Sequence, residues 1–199
     1  MRPTIRIRNV MRRAVQSWGS SSVKQALWNK EFAEGTWDHL AETPGDCVYR
    51  YIERYAQNGD ILDLGCGSGN TGNEIASAAY RSYTGIDISD VAIKKAIRRS
   101  ELSGRRAKNR YVQSDIATYV PQGTFSVILL RESLNYIPGR DVAGMLRRYR
   151  NYLQEHGTFI VRLYDRHRHE AIHRLIRRNF RVIEEFLPED APTIVVVFR

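Results

Sequence analysis

Cysteine is nearly absent: the 199 residues contain two, Cys47 and Cys66. Two thiols provide neither a disulfide framework nor the ligand spacing of a zinc site, and a reducing, cytoplasmic setting is the expectation. Long hydrophobic runs are also missing. No stretch approaches the ~20 apolar residues that span a bilayer. The sequence shows no internal repeat and no low-complexity tract. Acids are absent from residues 1–30, which hold seven arginines and lysines, so the remaining chain carries only +2 of the formal net charge of +9. A near-neutral body with a basic N-terminal arm lacks the broad positive surface of a nucleic-acid binder, and no nucleic-acid partner is expected.

What is present suits one domain. With 42% hydrophobic and 27% charged residues, the chain can bury a substantial core. The organisation expected is a basic extension over 1–22, then a single domain over 23–199 whose first part, 23–57, is helical. Within the extension, Ile7, Met11, Ala14, Val15 and Trp18 share one face at helical pitch, with Arg8, Arg12 and Arg13 on the flank and back. Residues 4–18 can therefore lie on an anionic membrane surface, such as the inner membrane, or on a partner. They can equally dock on the body, or serve as an organelle-targeting presequence ahead of Ser20-Ser21-Ser22.

Residues 24–34 read as a helix, and Pro44-Gly45-Asp46 opens another with Asp46 as N-cap. Strands and helices then alternate. Strands are predicted at 61–64, 83–88, 110–113, 125–130 and 158–163, with helices over 71–80, from the Ser89 cap to 101, from 141 to about 157, and ending near 179. The last two strands, 180–186 and 193–198, are joined too tightly for a crossover and must pair antiparallel. This order predicts an α/β fold: a doubly wound, seven-stranded, mostly parallel sheet with an antiparallel C-terminal strand pair.

The most informative segment is Ile61-Leu62-Asp63-Leu64-Gly65-Cys66-Gly67-Ser68-Gly69. An apolar strand ending in a glycine string brings backbone close to a ligand, with the amides of the next helix directed at it. Cys66 needs only to be small there. In a doubly wound sheet, ligands sit beyond the carboxyl ends of the strands. Three strand ends carry acids: Asp63, Asp87 (eighteen residues after Gly69) and Asp115. Each alone could be a helix cap. An acid in the position of Asp87 can accept from both hydroxyls of a ribose. Asp115, in Gln113-Ser114-Asp115-Ile116, is placed for an exocyclic adenine amine, with Ile88 and Ile116 against the ring.

Taken together, Asp-x-Gly-x-Gly-x-Gly, then Gly-x-Asp, then Ser-Asp-Ile, each after its own strand, resembles the class I S-adenosylmethionine-dependent methyltransferases. The resemblance covers residues 58–165 by motif and extends to 199 through the terminal strand pair. It implies S-adenosyl-L-methionine as cofactor, and a contact set of Asp63, Gly65, Cys66, Gly67, Gly69, Asp87, Ile88, Ser114, Asp115, Ile116 and Arg131. Residues 23–40 would fold over it, with Trp28 and Trp37 as aromatics of a lid. The loop after strand four, Arg131-Glu132-Ser133-Leu134-Asn135-Tyr136, would flank the departing methyl group.

If the acceptor is a hydroxyl, a base must take its proton. Glu132, Tyr136 and His167 are the candidates, in that order. The alternatives are a Glu132 paired with Arg131 and a Tyr136 in the core. His169 and His173 stand four apart, a spacing that suits a metal, yet Arg166, Arg168 and Arg174 oppose a cation, and no metal is assigned. The Asn/Asp-Pro-Pro-aromatic stretch that the amino-methylating enzymes of nucleic-acid bases and glutamine carry after strand four is missing. The expectation is a small-molecule or saccharide acceptor, oxygen rather than nitrogen, and a monomer or homodimer. The alternatives are a nucleic-acid or protein methyltransferase steered by residues 1–30, or a cofactor-binding module without catalysis.

Overall fold

The computed structural model describes residues 12, 14–40, 42–189 and 191–199. Most of the amphipathic segment at 4–18 lies outside the described residues. Residues 14–18 are helical, and Trp18 is 59% exposed. Helix α1 (Ser21–Ala33) follows, then α2 (Val48–Ala56), β1 (Asp60–Leu64), α3 (Asn70–Glu74), β2 (Ser82–Asp87), α4 (Asp90–Leu102), β3 (Asn109–Gln113), β4 (Phe125–Arg131), α5 (Gly139–Arg150), β5 (Leu153–Leu163), α6 (Glu170–Asn179), β6 (Val182–Phe186) and β7 (Ile194–Phe198). Among the described residues no helix is long and apolar enough to cross a membrane.

The strands form one sheet in the order β3-β2-β1-β4-β5-β7-β6. Strands β1 to β5 pair parallel, while β7 runs antiparallel to both β5 and β6. Strand order reverses between β1 and β4, which puts the switch point at the carboxyl ends of those two strands. Successive side chains of a strand point to opposite faces, and both faces are covered. Leu62, Ile128, Leu130 and Phe159 meet Val142, Leu146 and Ile176 on one side. Ile61, Val127, Leu129 and Ile160 meet Val48, Ile52, Ile93 and Ala96 on the other. A central strand buried on both faces has no polar side, which is why β4 reads as a nearly continuous apolar run.

Three boundaries differ from the sequence reading. The helix expected over 71–80 stops at Glu74. Ile75 turns extended to enter the core, and only a 3-10 turn at Ser77–Ala79 follows. The helix expected to reach 157 ends at Arg150, and β5 begins at Leu153. Gly157 is therefore no helix terminus. The β4–β5 register shifts between Phe125 and Val127, and a Cβ on Gly157 would lie 2.6 Å from the Phe125 carbonyl oxygen, so the glycine serves close strand approach. Asp46 accepts from the Val48 N–H at 3.0 Å, but it lies one residue before the cap position at Cys47, and two arginines also claim its carboxylate. Ser89 does cap α4, accepting from the Ala92 N–H at 3.1 Å.

Candidate active site

A cavity of about 230 Å3 opens at the switch point, floored by the glycine loop and roofed by α1. The loop takes its shape from the strand beside it. The N–H groups of Gly65 and Cys66 both donate to the Ile86 carbonyl, at 2.8 and 2.9 Å, which folds the chain sharply back after β1. Gly65 has φ +88°, and a Cβ there would sit 2.5 Å from the Ser133 Cβ. Only glycine meets both conditions.

Two carboxylates flank the loop. Asp87 is 8% exposed; it accepts from the Gly67 N–H and the Ser89 N–H, each at 2.9 Å. Burial outweighs these bonds and pushes its pKa up to about 6. Two amides leave lone pairs unused on a carboxylate that has four. Asp63 is 1% exposed. One of its oxygens accepts from the Tyr83 hydroxyl, while the other, Oδ1, is buried with no hydrogen-bond partner among the described residues. Burial lifts Asp63 to about 7 despite Tyr83 and nearby Arg131. A buried acceptor left unpaired costs ~1–3 kcal/mol, more if charged, and such an atom facing a cavity marks where a ligand donor belongs.

Asp115 lines the cavity with Ile88 and Ile116. Its carboxylate accepts from the Ala117 N–H and the Ser21 hydroxyl, both at 2.8 Å. The Ser21 contact ties the start of α1 to the sheet. Trp28, Phe32 and Trp37 form the roof, with Trp28 edge-on to Tyr136 at 4.9 Å and 5.6 Å from Trp37. Buried Glu31 links this roof to the preceding helical turn, accepting from the Arg12 guanidinium at 2.5 Å and the Trp37 indole at 3.0 Å. Asn29 bonds Asp90 and Ser89 at the start of α4.

At the other end stands a cluster of charges. Arg131 donates to Asp46 at 2.5 Å and to Thr43 at 2.9 Å. Arg162 lies 3.2 Å from Asp46 and donates to Glu132. Glu132 also accepts from the Tyr164 N–H at 3.0 Å. Its φ is +59°, an unusual backbone for glutamate that the carboxylate's two partners over-determine. Burial raises the Glu132 pKa against the pull of Arg162. The partner of Glu132 is thus Arg162, from β5, and not its neighbour Arg131.

Of the residues singled out from sequence, the cavity gathers Trp28, Trp37, Asp63, Gly65, Cys66, Gly67, Asp87, Ile88, Asp115, Ile116, Arg131, Glu132 and Tyr136. Cys66 is buried, and its thiol is pushed well up by burial and by Asp87, so it is an inert filler. Four residues are placed elsewhere. Gly69 opens α3 and packs on α4, where a Cβ would meet Ala96 at 2.7 Å. Ser114 is used through its backbone, donating to the Asp87 carbonyl at 2.9 Å. His167 lies off the cavity in a turn whose N–H donates to Asp165, and His173 is committed to Glu185 at 2.8 Å. Sequence reasoning missed Asp46, Thr43 and Arg162. Arg162 left a signal: an arginine inside an otherwise apolar strand end.

A doubly wound sheet with a glycine loop, two buried carboxylates and a cavity at the switch point defines a nucleoside-type ligand site. A methyltransferase-domain family description matches residues 37–190, and the chain belongs to that family. It is 30% identical over 122 residues to 27-O-demethylrifamycin SV methyltransferase of Amycolatopsis mediterranei, covering 57% of this chain and 44% of that protein. The chain thus spans under half the length of this relative. Its fold is shared with the CcbJ methyltransferase of Streptomyces caelestis (TM-score 0.71, 13% identity, 86% of this chain and 97% of that one). It is also shared with the N-methyltransferase NodS of Bradyrhizobium japonicum bound to S-adenosyl-L-homocysteine (TM-score 0.70, 15% identity, 88% and 97%).

Proposed function

We propose that the protein transfers a methyl group from S-adenosyl-L-methionine to a hydroxyl of a small-molecule, glycan or glycolipid acceptor. The observation that carries this reading is the unpartnered Oδ1 of Asp63, buried in the cavity wall beside the glycine loop. A cationic amino group donating there removes the cost of an unpaired acceptor and holds Asp63 ionised. Asp87 has lone pairs left for two ribose hydroxyls. Ile88 and Ile116 flank the place of an adenine, with Asp115 at its edge. The cofactor supplies an already activated methyl group on a sulfonium, so the protein's task is alignment and proton removal.

Alignment falls to the roof of Trp28, Phe32 and Trp37, which also keeps water from the reacting groups. Glu132 is the group we assign to the acceptor proton, and Tyr136 borders the same space. Its raised pKa brings Glu132 closer to the working pH of a general base, and Arg162 fixes its direction. The Amycolatopsis relative's name specifies a 27-O-demethylated acceptor, which supports oxygen. NodS is titled an N-methyltransferase, and an amine acceptor is the second reading. The acid-free residues 1–30 support peripheral contact with anionic lipid through 4–18, in a cytoplasmic protein.

Calorimetry with S-adenosyl-L-homocysteine, with NAD as control, tests the cofactor. Micromolar binding of the former, lost in Asp87→Ala, is expected. Binding of NAD instead would refute the reading. Methyl transfer from labelled cofactor to nucleic acid or protein, abolished by deleting residues 1–22, would move the acceptor to the macromolecular class.

A further inference from the structure

Among the described residues Glu31 is the one buried glutamate, 5% exposed, and the proposed methyl transfer does not use it. A carboxylate in such a place is costly unless it is paired and hydrogen-bonded. Chain from both sides converges on it. Arg12 donates through Nε at 2.5 Å and Nη2 at 3.0 Å, a two-pronged grip. The Gln16 amide, itself buried, reaches the two oxygens at 3.5 and 3.4 Å. From the other side the Trp37 indole N–H donates at 3.0 Å.

The indole is the part of this cluster that matters to the cavity. Glu31 lies outside the cavity lining, whereas Trp37 belongs to it. Trp37 follows α1 through a turn at Gly35, φ +72°, so no helix fixes its ring. Glu31 holds that ring by its edge, and the Arg12 guanidinium stands 5.7 Å from its centroid. Trp28 packs against it at 5.6 Å and meets Tyr136 edge-on at 4.9 Å. A line of contacts thus runs from Glu31 through two tryptophans to the space assigned to the acceptor. Only Glu31 and Phe32 of the thirteen residues of α1 are buried, so polar links rather than an apolar face hold this roof. Arg12 and Gln16 come from the helical turn before α1, whose Trp18 lies 4.5 Å from the Arg140 guanidinium of α5. An arm drawn off the body, or cut away before residue 17, takes both clamping side chains from Glu31.

We infer that Glu31 is a positioning residue for methyl transfer, acting through Trp37, and that residues 12–18 are a working part of the site. The inference rests on the cavity being the S-adenosyl-L-methionine site. Stopped-flow dissociation of S-adenosyl-L-homocysteine tests it in full-length Trp18→Phe protein, where Trp28 and Trp37 are the remaining tryptophans. Glu31→Ala should speed dissociation roughly tenfold. The emission of the folded variant should shift to the red as Trp37 loosens. Arg12 is 37% exposed and can be cut back without opening the core; Arg12→Ala should speed dissociation at least ~3-fold. Trp37→Phe keeps a ring but has no N–H, so the link is already cut. In that background each substitution should change the rate by no more than about twofold. A glutamate that merely supports the fold would act by the same factor in both backgrounds. Rates unchanged by both substitutions, or equal factors in the two backgrounds, overturn the positioning role and leave cofactor binding standing. A parent protein that does not bind S-adenosyl-L-homocysteine overturns the cofactor reading, and this role with it.

Discussion

Asp63 stores free energy that a ligand can release, and Asp63→Asn measures it. The carboxyl is fully buried, and its pKa rises from 3.8 to about 7, chiefly through burial. A carboxyl with a raised folded-state pKa binds its proton more tightly folded than unfolded. Folding stability therefore falls as pH rises from about 4 through about 7, and the full penalty applies above that window. At 1.36 kcal/mol for each tenfold change, the rise amounts to roughly 4 kcal/mol at pH 8. Asparagine keeps an oxygen for the Tyr83 hydroxyl and carries no charge. The unliganded Asn variant should therefore be more stable than wild type near pH 8, by roughly 2–4 kcal/mol once the cost of a buried amide is deducted. The advantage should shrink steadily toward pH 4. Urea unfolding of both proteins across that range gives the difference directly, with other titrating groups cancelling. In parallel, the variant should lose ~10–100-fold in affinity for S-adenosyl-L-homocysteine, the worth of a charge-assisted hydrogen bond. A stability difference that does not change with pH, or a wild type that is the more stable at pH 8, would refute the reasoning.

Other outcomes follow from the same geometry. Glu132→Gln should lower turnover by ~10²–10⁴ while leaving cofactor affinity unchanged, measured by initial rates and calorimetry on one preparation. Arg162→Leu removes the cation that draws the Glu132 pKa down, so the alkaline rise of the pH–rate profile should move to higher pH. A profile left in place would remove Arg162 from that role. Gly65→Ala places a Cβ 2.5 Å from Ser133 Cβ at φ +88°, and a Tm drop corresponding to ~1–3 kcal/mol together with weakened cofactor binding is expected. Trp28→Ala removes the ring that joins Tyr136 to Trp37 in the roof; stopped-flow dissociation of S-adenosyl-L-homocysteine should accelerate ~10-fold.

The parallel sheet and its order of elements were legible because β1 and β4 carry apolar runs that no surface strand tolerates, each punctuated by glycine or charge. Asp63 and Asp87 were legible for the same reason, since each is the acid at the carboxyl end of an apolar strand, and Asp115 follows the end of β3 by two residues. Where the structure departs from the local pattern, tertiary contacts override it. Residues 153–157 look helical, yet the β4 edge recruits them into a long β5. Gly69 sits in the glycine string beside Gly65 and Gly67, but the start of α3 turns it toward α4. His167 follows β5 closely in sequence, yet the Asp165 turn carries it off the cavity. Asp46 is 85 residues from Arg131 and 116 from Arg162, and nothing local to a Pro-Gly-Asp turn signals that two arginines will converge on it.

The central claim is tested most directly by a crystal structure with S-adenosyl-L-homocysteine. The account predicts the ligand's amino group within hydrogen-bonding distance of Asp63 Oδ1, its ribose hydroxyls on Asp87, and its adenine between Ile88 and Ile116. A ligand bound elsewhere, or one in this cavity that leaves Asp63 Oδ1 without a donor, would contradict it.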